Sequence, residues 1–200
     1  MSEFRFLTYL YNDIYLWLAS STPGEHVTKG YFKDKDKKVW NRIKNKFIEL
    51  EKKKELSELE KEFLNCKYVG KAYRIIHYYK RRNGQVYPID CYQSCSKTIN
   101  GVKKVNLYGD VTLIELLSSE YSYSIDLFKL LEFMVKNKLI IYEDESEFNH
   151  YNVRNLEGYF DEEEVLVVLS KDNIKNISVR NFKNNSSIIL ERNKWYRNSM

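Results

Sequence analysis

The sequence predicts an α+β domain, with helices leading into a mostly antiparallel sheet, split or sandwiched, and one or two helices inserted between strands. Three observations predict it. Apolar residues recur at helical spacing through the first third of the chain, and runs rich in Val, Ile and Tyr dominate the rest. The 43% hydrophobic content, with seventeen Tyr and ten Phe, is enough for a sizeable core in 200 residues. Two Pro and seven Gly argue against a disordered or collagen-like polymer. The texture divides the chain into a helical region, 1–66, and a sheet-bearing region, 67–200, packed as one compact unit.

The helices come first. Phe6, Leu10, Ile14 and Trp17 repeat at helical spacing until the Ser20–Gly24 stretch breaks the pattern. A second helix is expected from Asp36 to about Leu50, with Val39, Trp40, Ile43, Phe47 and Leu50 as its apolar stripe and lysines filling much of the rest. A third runs from about Ser57 to Cys66, turning Leu56, Leu59 and Phe63 to the core. The lysines are a solvated face over a packed stripe, or a surface for nucleic acid.

Near Tyr68 the pattern changes. KYVGKAYRIIHYY reads as a strand, and Arg81–Gly84 supplies a turn. QVYPIDCYQSCSKTI is a shorter extended segment and loop. Val111 to Leu117 fits either helix or strand, Ile125 to Val135 reads as helix, and Leu139 to Glu143 as strand. After a polar, acidic connection, EVLVVL, NISVRNF and SIILER complete the set of strands.

Formal net charge is +5, enough for a cleft that attracts a dinucleotide, a nucleic acid or an acidic protein face. Cys66, Cys91 and Cys95 are odd in number and fit neither a disulfide framework nor a closed zinc site, so a reducing compartment and no structural metal are expected. The N-terminal stretch has no basic leader, and Glu3, Arg5, Asn12 and Asp13 interrupt its apolar run. Neither a signal peptide nor a membrane span is expected, and the site of action reads as cytoplasmic.

Three segments could carry chemistry. Arg74 stands alone among apolar and aromatic neighbours in a predicted strand, where burying it unpaired is costly. Its planar fork suits a phosphate or carboxylate, and taken alone a structural salt bridge is the first reading of it. Ser94 and Ser96 flank Cys95 and share one side of an extended backbone, although Ser-x-Ser is also frequent in ordinary loops. In FDEEEVLVVL, Glu162 and Glu164 are two apart, and Glu164 directly precedes the apolar strand. A carboxylate there needs a hydrogen-bond partner or a positively charged transition state.

Arginine on an early strand, then aromatic-x-Ser-x-Ser, then Glu-x-Glu leading into a strand resembles the ADP-ribosyltransferases of the arginine–serine–glutamate class, and the small phage and bacterial-toxin members above all. The resemblance runs from about Tyr68 to Phe182. It implies the ADP-ribosyltransferase type of sheet and NAD as co-substrate. It gives Arg74 the NAD phosphates, and Ser94 the support of the catalytic glutamate and the nicotinamide pocket. Ser96 closes the motif, and Tyr92 is the preceding aromatic. Cys95 stands where threonine is frequent. Glu164 becomes the catalytic glutamate, and Glu162 the acceptor-associated residue, of the kind seen in enzymes that modify arginine. Tyr159 and Phe160 fall in the acceptor-recognition turn, where each either rests on the acceptor or anchors the loop. Lys71 and Lys97 could assist phosphate binding. The aromatic that stacks on nicotinamide is unassigned, with Tyr108 and Tyr123 as candidates.

The chemistry implied is mono-ADP-ribosylation of a host protein acceptor, on arginine. Alternatives are ADP-ribosylation of nucleic acid, reached through the basic N-terminal helices, NAD hydrolysis with water as acceptor, and a non-enzymatic protein that binds a host factor through its basic, tyrosine-rich surface.

Overall fold

The computed structural model describes residues 2–19, 33–77, 92–104, 110–140, 163–168, 170, 172–181 and 186–188. A short 3-10 turn, Ser2–Phe4, leads into α1 (Arg5–Ala19), followed by α2 (Lys33–Glu51) and α3 (Glu58–Leu64). Of the apolar positions expected on these helices, Leu10 and Ile14 on α1 and Val39, Trp40, Ile43, Phe47 and Leu50 on α2 are buried, and Phe6 is partly buried against them. α3 starts with a capping box, in which the Ser57 side chain accepts from the Glu60 N–H and the Glu60 carboxylate accepts from the Ser57 N–H. Phe63 on α3 sits between Phe4 and Phe47, each with ring centroids 4.9 Å away, and these contacts join α3 to α2 and to the turn that leads into α1.

The strands are β1 (Lys67–Tyr68), β2 (Gly70–His77), β3 (Tyr92–Ser96), β4 (Asp110–Ser118), β5 (Ser124–Asp126), β6 (Glu164–Val168), β7 (Ile174–Asn181) and β8 (Ser186–Ile188). Two helices are inserted, α4 (Ile99–Lys104) and α5 (Leu127–Lys136). The sheet order is β1-β5-β6-β3-β2-β4-β7-β8, and every neighbouring pair is antiparallel. The protein is therefore an α+β fold with N-terminal helices and an antiparallel sheet.

The two halves of this sheet are unequally joined. β2 pairs with β4 along its whole length, from Gly70↔Ser118 to His77↔Val111, and β3 pairs with β6 from Tyr92↔Val168 to Ser96↔Glu164. Between β2 and β3 there is one register pair among the described residues, Tyr73↔Ser96. The eight strands thus form one hydrogen-bonded sheet that is nearly divided down its middle. At Gly70 the chain passes from edge strand β1 to central strand β2. Its φ of 144° suits glycine, and a Cβ there would meet the Tyr68 hydroxyl at 3.2 Å.

Four local expectations need revision. Val111–Leu117, open between helix and strand, lies in β4. The helix expected from Ile125 begins at Leu127, because Ile125 and Asp126 pair with β6 and the Asp126 carboxylate caps the helix by accepting from the Lys129 N–H at 3.2 Å. α4 was not anticipated in the loop after β3. Leu139 and Ile140, expected in a strand, are buried outside any strand; the Leu139 N–H instead closes the end of α5 on the Met134 carbonyl at 2.9 Å. The Arg81–Gly84 turn and residues 141–143 lie outside the described residues.

Side chains alternate across a strand, so the registers sort the sheet into two faces. On one face Tyr92, Ile125 and Leu166 join a core built with α1, α2, α3 and α5. On the other, Ala72, Cys95, Ile114, Leu116, Val165 and Val167 form a second cluster, with Tyr68, Ile174 and Ile177 packed against it.

Candidate functional site

The predicted motifs meet at the junction of the two sheet halves. Arg74, the Ser94–Ser96 segment and Glu164 lie on β2, β3 and β6, which are consecutive in the sheet. Adjacent strands are about 5 Å apart, so the backbones of β2 and β6 are separated by about 10 Å. Glu164 is buried, 7% exposed, and far from a bulk-solvent position.

The register then refines the assignments. Ser96, not Ser94, is the serine opposite Glu164; Ser94 is opposite Leu166. Tyr73, Ser96 and Glu164 therefore share the helix-covered face, at its end. The Ser96 hydroxyl also accepts from the Thr98 N–H at 3.3 Å, which turns the chain into α4. Arg74, one residue beyond Tyr73, belongs to the opposite face with Ala72 and Cys95. Its guanidinium reaches across the junction and donates to the Ser94 carbonyl. That bond lies where the β2–β3 ladder has already ended, so Arg74 straps the two halves where the backbone does not.

The face that carries Arg74 holds further charged groups. Lys97 pairs with Asp126 at 2.7 Å, and Asp126 is almost fully buried. Lys97 thus neutralises a buried carboxylate. Lys71 is exposed. Glu163, directly before β6, has a left-handed backbone, φ 50°, a conformation that costs a non-glycine residue about 1–2 kcal/mol. Its carbonyl accepts from the Lys97 N–H at 3.0 Å, which holds the turn in place. Its Oε2 is shielded from solvent and has no hydrogen-bond partner among the described residues. Burial and the nearby Asp126, Tyr73, Cys95 and Glu163 push the Tyr68 phenol up to about 12. Burial drives the Cys95 thiol up to about 12; Arg74 opposes that shift and Glu164 adds to it, so the cysteine is a neutral packing residue beside the charges.

Tyr92 does not line this junction. It is 7% exposed, packs in the helix-side core 6.5 Å from the Trp40 ring, and donates to the Tyr123 carbonyl at 3.0 Å. A ring so enclosed has no free face for a nucleotide, so its expected cofactor contact gives way to a structural role. Tyr123 is likewise occupied elsewhere, donating to the Glu51 carboxylate at 3.0 Å under the Lys67 ammonium. Glu162, Tyr159, Phe160 and Tyr108 lie outside the described residues.

Sequence reasoning named Lys97 as a possible aid to phosphate binding but missed Glu163 and Asp126, the carboxylate that Lys97 pairs with. Parity was the available signal for Glu163, which is two before Val165 and so on the Arg74 face. Asp126 was hidden by a helical periodicity that ran straight through β5. Among the described residues no group of three or more His, Cys, Asp or Glu could hold a metal ion, and no helix is long and apolar enough to cross a membrane.

Comparison with known proteins adds no relative. No protein-family model matches the chain, and no curated protein or solved structure matches it significantly.

Proposed function

We propose that the chain is an NAD-dependent mono-ADP-ribosyltransferase with the ADP-ribosyltransferase type of sheet, transferring to a protein acceptor on arginine. One observation carries the proposal: the three resembling segments, far apart in sequence, lie on consecutive strands around Tyr73↔Ser96, the one β2–β3 register pair among the described residues, with Arg74 turned to one face of that junction and Glu164 to the other at its end. A half-buried arginine whose partner is a neutral carbonyl favours an incoming anion, as the NAD pyrophosphate would supply.

In this reaction the bond between ribose C1′ and the nicotinamide nitrogen breaks, and its electron pair leaves with the now neutral nicotinamide. Positive charge develops on the ribose, as in glycoside hydrolysis. Glu164 stabilises that charge more in the transition state than in the ground state. Ser96, opposite Glu164 on the neighbouring strand, positions the carboxylate. An acceptor guanidinium nitrogen then bonds to C1′ and loses a proton to a nearby carboxylate, the role the resemblance gives Glu162.

The test is incubation of the pure protein with labelled NAD and a host-cell lysate, beside E164Q. Label in protease-sensitive bands with the unmutated chain alone is the expected result. Nicotinamide release with no labelled macromolecule would convert the assignment to NAD hydrolysis, and no NAD consumption would end it.

A further inference from the structure

We infer that the outer face of α2 is a docking surface for single-stranded nucleic acid, with its cations taking phosphates and Tyr121 stacking on a base. The inference does not rest on the transferase reading and leaves the proposed acceptor unchanged.

Its basis is which charges on α2 are already matched. Lys38, Arg42, Asn45, Glu49 and Lys52 follow one another at helical spacing and are exposed, with Lys44 half-buried at the edge of the same face. The carboxylates there are Glu49 and Glu51. Glu49 accepts from Lys46 at 2.7 Å, and Glu51 accepts from Lys67 and from the Tyr123 hydroxyl. Lys46 is buried and Lys67 belongs to β1, so both carboxylates are neutralised by cations from the flanks of the face. Lys38, Arg42, Lys44 and Lys52 then have no carboxylate at ion-pair distance among the described residues. From Lys38 to Lys52 the ridge runs about 20 Å along the helix axis. At about 3.4 Å per nucleotide, that length follows about six phosphates of a stacked strand.

Aromatic rings flank the ridge. The Tyr123 ring lies 5.7 Å from the Lys44 ammonium and 4.7 Å from that of Lys67. Tyr121, two residues earlier, is 84% exposed. The 3-10 turn that carries it, Glu120–Ser122, is fixed: the Ser119 N–H donates to the Ser122 hydroxyl at 3.0 Å, and the Ser122 N–H to the Ser119 carbonyl at 3.1 Å. The Tyr92 hydroxyl anchors the end of the turn at the Tyr123 carbonyl. The Glu51 carboxylate first, then burial, raise the Tyr123 phenol, and Tyr121 is near enough to add to the shift.

A ring so open, held on a fixed turn, loses little freedom when a base stacks on it. Its neighbours Ser119, Glu120 and Ser122 are polar and exposed or half-buried, which disfavours entry into a bilayer, whereas stacking needs only the ring. Surplus cations that track a backbone, beside an aromatic platform for bases, are the two parts of a single-strand surface.

Fluorescence anisotropy of the full chain with labelled oligothymidylate tests the surface. Affinity should fall with salt at a log–log slope of about −3, from about 0.7 for each of Lys38, Arg42, Lys44 and Lys52. R42A and K44A should each weaken binding and each reduce the slope by about 0.7. Y121A should weaken binding about tenfold with the slope unchanged, and Y121F should bind as the unmutated chain does. Unchanged urea unfolding identifies the variants as folded. No binding at low salt, or binding indifferent to these substitutions, overturns the inference. Equal binding to polyglutamate or to phosphatidylserine vesicles, with Y121A as tight as the unmutated chain, would make the ridge a general anion surface and overturns it too. E164Q, which tests the transferase, should bind the oligonucleotide unchanged, so either reading can fail alone.

Discussion

The helix-covered side of the molecule and the opposite face of its sheet treat charge differently. On the helix side, Lys46 bonds Glu3 at 2.6 Å and Glu49 at 2.7 Å, and Lys53 bridges Glu3 at 3.2 Å and also reaches Glu60. Every member of that network has an opposite partner, and beneath it lies a core of Phe4, Phe47, Phe63 and Phe133. Across the sheet, Lys97 and Asp126 match, whereas among the described residues Arg74 meets a neutral carbonyl and Glu163 Oε2 meets no hydrogen-bond partner. Charges closed on one another stabilise a fold, and a cation without a counter-ion is available to an anion. The contrast separates structural from functional ionisable groups without reference to any relative.

The largest effect should come from Glu164, where the two regions meet. E164Q should lower transferase turnover about 10²–10³-fold with little change in stability, measured by nicotinamide release beside urea unfolding. Full turnover in E164Q would make that carboxylate part of the structural side. Next comes the core. Phe63→Ala removes a ring in contact with Phe4, Phe47 and Phe133 and should cost about 3–5 kcal/mol in urea unfolding, whereas R74A should cost under about 1 kcal/mol, because it removes a cation with no counter-ion among the described residues. Equal losses would erase the distinction. K97M should fall between them, near about 2–3 kcal/mol, since it leaves the buried Asp126 carboxylate without its cation.

The smallest effect is a pH dependence confined to the helix side. The Lys53 ammonium, then the Ser57 N–H, hold the Glu60 carboxyl at about 2, below its ordinary 4.5. A depressed folded-state value binds protons less readily than the unfolded chain, so the stabilisation is fully present above about 4.5 and is lost as pH falls towards about 2. Acid unfolding of K53M should show a shallower loss over that window, and an unchanged profile would deny the Lys53 contribution.

The helices were legible because each carries a stripe at one period, and Trp40, Phe47 and Phe63 are buried as that period requires. The strands with regular alternation or long apolar runs were legible for the same reason. β5 was not: Ser124–Asp126 is three residues long and merges with the periodicity of α5, so only its pairing with β1 and β6 reveals it. At the site, the sequence indicated which segments matter, and spacing within each segment indicated parity. It could not indicate relative parity between segments, which depends on registers such as Tyr73↔Ser96. That is why the opposite faces of Arg74 and Glu164 emerge only from the registers.

The single register pair at the middle of the sheet also bears on how the protein loosens. With one backbone pairing among the described residues, the joining of the two halves falls to side chains, and the cluster of Ala72, Cys95, Ile114, Leu116, Val165 and Val167 spans the crease. The β3–β6–β5 half is packed on the helical core through Tyr92, Leu166 and Ile125 and should share its protection against hydrogen exchange. The β2–β4–β7 half, paired along its length with one register shift between Glu115 and Leu116, should follow only as far as that cluster holds it. Anything that spans Arg74 and β6 would act as a rivet across that line.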